Sequence, residues 1–153
     1  MSVVRQTLPH PPLVVFDALA TPETYPEWLV GCRDIRAVDA DWPAVESRFH
    51  HRVGLVGPLT VEDSTKVLAI DAPRELQLEV RFRPIGRGRV TFRLEPGGLQ
   101  DTLVTFEEVP LGHLAPAQPV LDPLTDHRNR QSLRRLGELL DREVEELEVD
   151  ASA

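Results

Sequence analysis

The chain has 153 residues, which suits one domain with a sizeable core. Its 17 basic and 25 acidic residues give a net charge of −8, which favours solubility and argues against a nucleic-acid or anionic-membrane surface, since either needs a concentrated basic face. Cys32 is the only cysteine, so no internal disulfide can form, and a reducing, cytoplasmic setting fits.

The opening MSVVRQTLPH lacks a charged start followed by a long apolar run, so no signal peptide or membrane-spanning segment is expected. SVVRQTL (2–8) is short and β-branched and reads as a first strand, stopped by Pro9, Pro11 and Pro12. PPLVVFDAL (11–19) begins with prolines that suit a first helical turn, and Leu13, Phe16 and Ala20 recur at helical spacing. Thr21, Pro22 and Glu23 then predict a second short helix over 22–29, with the Thr21 hydroxyl as its cap.

From residue 33 the period changes to two. RDIRAVDA (33–40) is one expected strand, and ESRFHHRVGLV (46–56) another, with Phe49, His51, Val53 and Leu55 on one face. Gly57-Pro58 marks a turn before LTVEDSTKVLAI (59–70). LQLEVRF (76–82) turns Leu76, Leu78, Val80 and Phe82 inward, and after the expected turn PIGRG, RVTFRLE (89–95) turns Val90, Phe92 and Leu94 inward. TLVTFEEV (102–109) closes the run with Val104 and Phe106 inward. Short turns between consecutive strands mean antiparallel pairing, and a polar residue at every second position means one wet face.

PLGHLAPAQPVLDP (110–123) reads as a long connector, either a lid or rim of a site or a plain crossover. A helix is expected from about 124 to 148, with Leu133, Leu136, Leu140, Val144 and Leu147 in one stripe and charges around the rest of the cylinder. N-terminal to Leu133 the stripe turns polar through Arg130, Asn129, Asp126 and Thr125. The C-terminal half should therefore seal against the sheet, and the N-terminal half should present polar atoms to whatever lies beneath.

This order, with VVFDALATPETYPEWLVGCRDI (14–35), KVLAIDAPRELQLEV (66–80), GRVTFRLEP and TLVTFEE within 88–108, and RNRQSLRRLGELLDRE (128–143), resembles the START-like SRPBCC superfamily in its polyketide cyclase/dehydrase and lipid-transport branch. The resemblance spans about residues 2–143 and rests on fold-marking patterns, none of them a catalytic signature. It implies an α+β helix-grip fold: a seven-stranded curved antiparallel sheet wrapped around a long C-terminal helix, with two short helices after the first strand. One domain over 1–149 and a short tail at 150–153 follow. It also implies a cavity between sheet and helix for an apolar, polyketide- or lipid-like ligand.

Within such a cavity the inward pattern would place Phe49, His51, Val53, Val80, Phe82, Phe92 and Phe106, with Asn129 reaching in from the helix. Trp28, at a helix-to-strand corner, either lines the mouth or packs. His51 is either an acid–base group or a core histidine bonded to a neighbour. Asp63 shares a face with Leu59, Val61, Thr65 and Val67 and would pair with His51 if its strand ran unbroken. The opposite face of that strand ends in Leu68 and Ile70, so a register break is plausible, and Asp63 is expected outward or at an edge. His50 and His51 point to opposite sides, so they cannot chelate one metal, and no metal site or cofactor is expected. Arg81, Arg83, Arg89 and Arg93 should stand on the wet face in cross-strand ion pairs.

Three functions fit these residues. One is binding of a small hydrophobic ligand by a monomer or homodimer, without nucleic acid or membrane insertion. Another is a cyclase or dehydratase using His51, with Asp63, for proton transfer. The third is an interaction module with no ligand.

Overall fold

The computed structural model describes residues 1–54, 58–82 and 86–152, the Phe82 side chain excepted. The expected inward Leu55, the turn at Gly57, the outward Arg83, and Pro84 and Ile85 of the expected PIGRG turn lie outside the described residues.

Strand β1 (Ser2–Leu8) is followed by α1 (Pro12–Leu19), a 3-10 turn (Pro22–Thr24) and the one-turn α2 (Tyr25–Trp28). The strands β2 (Cys32–Val38), β3 (Arg48–Gly54), β4 (Thr60–Asp71), β5 (Glu75–Phe82), β6 (Gly86–Pro96) and β7 (Thr102–Leu111) come next. A second 3-10 turn (Gly112–Ala117) leads into α3 (Gln118–Ser152). The seven strands form one antiparallel sheet in the order β1-β7-β6-β5-β4-β3-β2, so the helical insert after β1 carries the chain from one edge to the other.

Several expectations are corrected. The buried side of α1 is Val15, Phe16, Ala18 and Leu19, while Leu13 is exposed. Thr21 does not cap the next turn; its hydroxyl donates to the Asp17 carbonyl at 2.6 Å. β6 begins at Gly86, so the second half of the expected PIGRG turn is already strand. Most of the expected connector is helical: α3 starts at Gln118, six residues before the sequence pattern placed it. Pro119 and Pro123 disguise that start: Pro119 sits in the first turn, where a missing N–H matters least, and Pro123 lies inside the helix, where a proline ordinarily reads as a break. The stripe on α3 stops burying at Leu140; Val144 and Leu147 are exposed, and Leu139 joins the core.

α3 meets the sheet unevenly. Its closest approaches are to β1 and α2. Gly137 permits one of them: a Cβ there would lie 3.1 Å from Leu8 Cδ2. Leu133, Leu136, Leu139 and Leu140 pack into a core that includes Val4, Leu8, Leu94, Val104 and Trp28. The helix thus clamps the β1 side of the sheet, while the middle strands curve beneath α2 and the loop after it.

Candidate ligand cavity

A cavity of about 370 Å³ lies over the middle strands. Its wall is built from the inward residues of five strands: Phe49, His51 and Val53 on β3, Thr65 on β4, Leu78 and Val80 on β5, Val90 and Phe92 on β6, and Phe106 and Glu108 on β7. Tyr25 of α2, Leu29 to Cys32 and Arg128 of α3 complete it. The rim at Val30 and Gly31 is held from two sides. The Val30 amide donates to Ser132 Oγ on α3 at 3.0 Å, and the Gly54 amide donates to the Gly31 carbonyl at 2.9 Å. Gly31 has φ +97°, a left-handed backbone that a side chain would strain.

Of the residues placed in a cavity from sequence, Phe49, His51, Val53, Val80, Phe92 and Phe106 lie on this wall. The Phe82 side chain falls outside the described residues. Trp28 is fully buried but packs elsewhere, against Tyr25 and Phe92, with its indole N–H donating to Thr24 Oγ1 at 3.1 Å. Asn129 is fully buried beside the wall, its amide nitrogen 3.0 Å from Glu108 Oε2. Trp42 packs edge-on to Phe49 and donates its indole N–H to the Ala20 carbonyl at 2.8 Å.

His51 is inward and buried, 4% exposed. Its Nε2 is 2.9 Å from Thr65 Oγ1, and its Nδ1 has no hydrogen-bond partner among the described residues. Burial lowers its pKa to about 4, against the pull of Asp63; Arg36 and His50 act in the same direction as burial. The imidazole is therefore neutral near pH 7 and holds one donor and one acceptor nitrogen.

Asp63 corrects another expectation: it is inward and 4% exposed, directly opposite His51 in the β3–β4 register. The register break does exist, but it lies further along β4, between Val67 and Ala69. It returns Ile70 to the inner face opposite Leu76 and leaves Asp63 on the inner face too. Asp63 Oδ1 accepts the Ser64 amide at 2.9 Å, and the residue is not part of the cavity wall.

Three polar groups of the wall were not singled out from sequence. Glu108 continues the alternation of Val104 and Phe106, and β7 runs two residues past the expected end of the strand, which places Glu108 well inside it. Arg128 Nη2 lies 2.5 Å from Glu108 Oε2, the oxygen that Asn129 also reaches. Thr65 shares its alternation with Asp63, the residue that drew attention instead. Tyr25 and Cys32 also face the cavity, but neither is poised to react. Burial raises the Tyr25 hydroxyl above its ordinary range, with Cys32 adding to the shift, and that hydroxyl donates to the Leu19 carbonyl at 2.7 Å. Burial, then the Asp34 charge, pushes the Cys32 thiol up to about 12.

On the wet face, Arg93 bridges Glu75 and Glu107, and Arg81 and Arg87 flank Glu79. Among the described residues no cluster of three or more His, Cys, Asp or Glu could hold a metal ion, and no helix is long and apolar enough to cross a membrane.

A curved antiparallel sheet closed over an inner space by a C-terminal helix is the helix-grip arrangement. The family described as polyketide cyclase / dehydrase and lipid transport matches residues 2–145, and the chain belongs to it. No curated protein matches it in sequence. Among solved structures, the aromatase/cyclase ZhuI of Streptomyces sp. R1128 superposes with TM-score 0.71 at 14% identity, covering 93% of both chains. The di-domain aromatase/cyclase StfQ of the steffimycin biosynthetic pathway superposes with TM-score 0.74 at 16% identity, over 95% of this chain and 46% of that one. Protein MLL2253 of Mesorhizobium loti gives 0.67 at 23% identity, over 92% and 96%. At these identities the likeness is one of fold.

Proposed function

We propose that the protein binds a small apolar, ring-bearing ligand of polyketide or lipid-like type in this cavity, with His51 as a polar contact. One observation carries the reading: the apolar wall includes an imidazole whose Nδ1 lacks a partner among the described residues. An unpaired buried polar atom costs roughly 1–3 kcal/mol, which favours an occupant beside the His51 ring that can pair with it. A volume of about 370 Å³ lies within the ordinary range for small-molecule sites. The test is isothermal titration with naphthalene and 2-naphthol. Saturable binding of either, weakened when Val53 and Val80 are replaced by larger residues, is expected. No binding by the folded protein would defeat the reading.

A second reading is favoured by the same residue. Burial keeps His51 neutral opposite Asp63, as a proton acceptor needs, so the site could act as a cyclase or dehydratase with His51 as the acid–base group. With a turned-over substrate in hand, His51→Ala should lower kcat about 10²–10⁴-fold. Unchanged kcat would remove His51 from the chemistry while leaving ligand binding intact.

A further inference from the structure

Glu108 is a buried carboxylate whose two oxygens are served unequally. It is 8% exposed and lines the cavity. Arg128 Nη2 and Asn129 Nδ2 both donate to Oε2, at 2.5 and 3.0 Å, which leaves Oε1 as the oxygen turned away from α3. The donors arrive from two successive residues of α3, so the helix turns Oε2 towards itself. Ser2, opposite Glu108 on β1, cannot serve Oε1, because its hydroxyl is given to Asp126 Oδ1.

We infer that Glu108 Oε1 is the second polar contact of the cavity and receives a neutral hydroxyl of the ligand, on β7 opposite the His51 side of the sheet. This rests on the cavity being a ligand site, as proposed above. The neighbouring charges narrow the class. A ligand carboxylate at Oε1 would set two like charges in contact in a poorly hydrated place. An ammonium would meet Glu108 favourably but sit against Arg128. Arg128 is not an equivalent receptor for an anion, because its charge is already matched by Glu108 and its side chain is 33% exposed. A hydroxyl donates to Oε1 and brings no charge of its own. The ligand is therefore an apolar ring system ending in a phenol or alcohol, rather than a fatty acid or other carboxylate.

The experiment compares naphthalene, 2-naphthol and 2-naphthoate by titration calorimetry at pH 7. The wild-type protein should bind 2-naphthol at least about tenfold more tightly than 2-naphthoate, as expected for a charge-assisted hydrogen bond against a like-charge contact. Glu108→Gln should cut that ratio severalfold. Wild-type binding of 2-naphthoate as tight as 2-naphthol would overturn the assignment, even where Glu108→Gln fails to fold. Binding of naphthalene with no gain for 2-naphthol would also overturn it while leaving the cavity reading standing. Failure of all three to bind would remove both.

Discussion

His51 and Asp63 face one another across the β3–β4 register, yet the hydrogen bond of the imidazole runs diagonally, with Nε2 2.9 Å from Thr65 Oγ1. Asp63 instead acts on the ring through its charge, which opposes burial without overcoming it. A Thr65→Val substitution keeps the shape of the wall and strips His51 of this partner. It should lower the free energy of unfolding by about 1–3 kcal/mol, the cost of leaving a buried polar atom unpaired. Urea denaturation measures this, and an unchanged midpoint with unchanged m-value would show that the contact does not matter.

The low pKa of His51 makes stability depend on pH in a fixed direction. In the unfolded chain the imidazole titrates near 6.5, and in the folded protein near 4. Between those values the unfolded chain binds the extra proton, so stability falls as pH drops through that window and the group contributes no slope above it. The loss by pH 4 amounts to at most roughly 3 kcal/mol, a little short of the full value because the folded imidazole is itself half protonated there. His51→Asn, which keeps a donor and an acceptor but does not titrate, should flatten this part of the curve. Unfolding free energies at pH 7 and pH 4.5 for both proteins decide it; an equal drop in both would assign the slope to other groups.

Filling the cavity separates packing from binding. Val80 stands on its wall with open space in front of it. In a well-packed core even extra methylenes cost about 1–3 kcal/mol, but here the ring enters empty volume. Val80→Trp should therefore change stability by less than about 1 kcal/mol while reducing naphthalene affinity at least about tenfold. Loss of stability with retained binding would place the ligand elsewhere.

The alternation of strands and the apolar spacing of the last helix were legible because burial on one side imposes a period on the sequence. Leu76, Leu78 and Val80 on β5, and Val90, Phe92 and Leu94 on β6, are such positions. What stayed hidden depended on contacts distant in sequence. The stripe through Val144 and Leu147 has helical spacing, but spacing cannot reveal that the sheet ends beneath Leu140. The start of α3 was masked by prolines that usually mark loops. Asp63 depended on where a single bulge fell, and the local sequence allowed it on either side. Glu108 was overlooked because an acidic residue in an alternating strand is ordinarily assigned to water. Its place on the inner face follows from phase with Phe106, and its partners come from a helix twenty residues further on.

The two ends of α3 predict unequal costs for the same change. Leu136 is fully buried, so Leu136→Ala should destabilise by about 2–5 kcal/mol through lost transfer energy and a residual cavity. Leu147 is 69% exposed, and Leu147→Ala should stay within about 0.5 kcal/mol. Thermal or urea unfolding of the two variants tests where the helix leaves the sheet, and a large cost at Leu147 would mean that its face is covered in solution.

Glu108 and Arg128 pose a different question: whether the pair is kept for stability or for its second oxygen. Removing one partner from a buried pair is costly because the other is left uncompensated, whereas replacing both by apolar residues of similar size is often neutral or stabilising. Arg128→Met alone should cost about 1–3 kcal/mol, discounted from the fully buried case because the guanidinium is partly solvated. Glu108→Leu combined with Arg128→Met should recover most of that loss, while abolishing the preference for 2-naphthol over 2-naphthoate. Stability regained with selectivity lost would assign the pair to recognition. A double variant less stable than Arg128→Met alone would instead mean that the ion pair supports the fold in its own right, and the selectivity measurement would then have to carry the assignment of Glu108 alone.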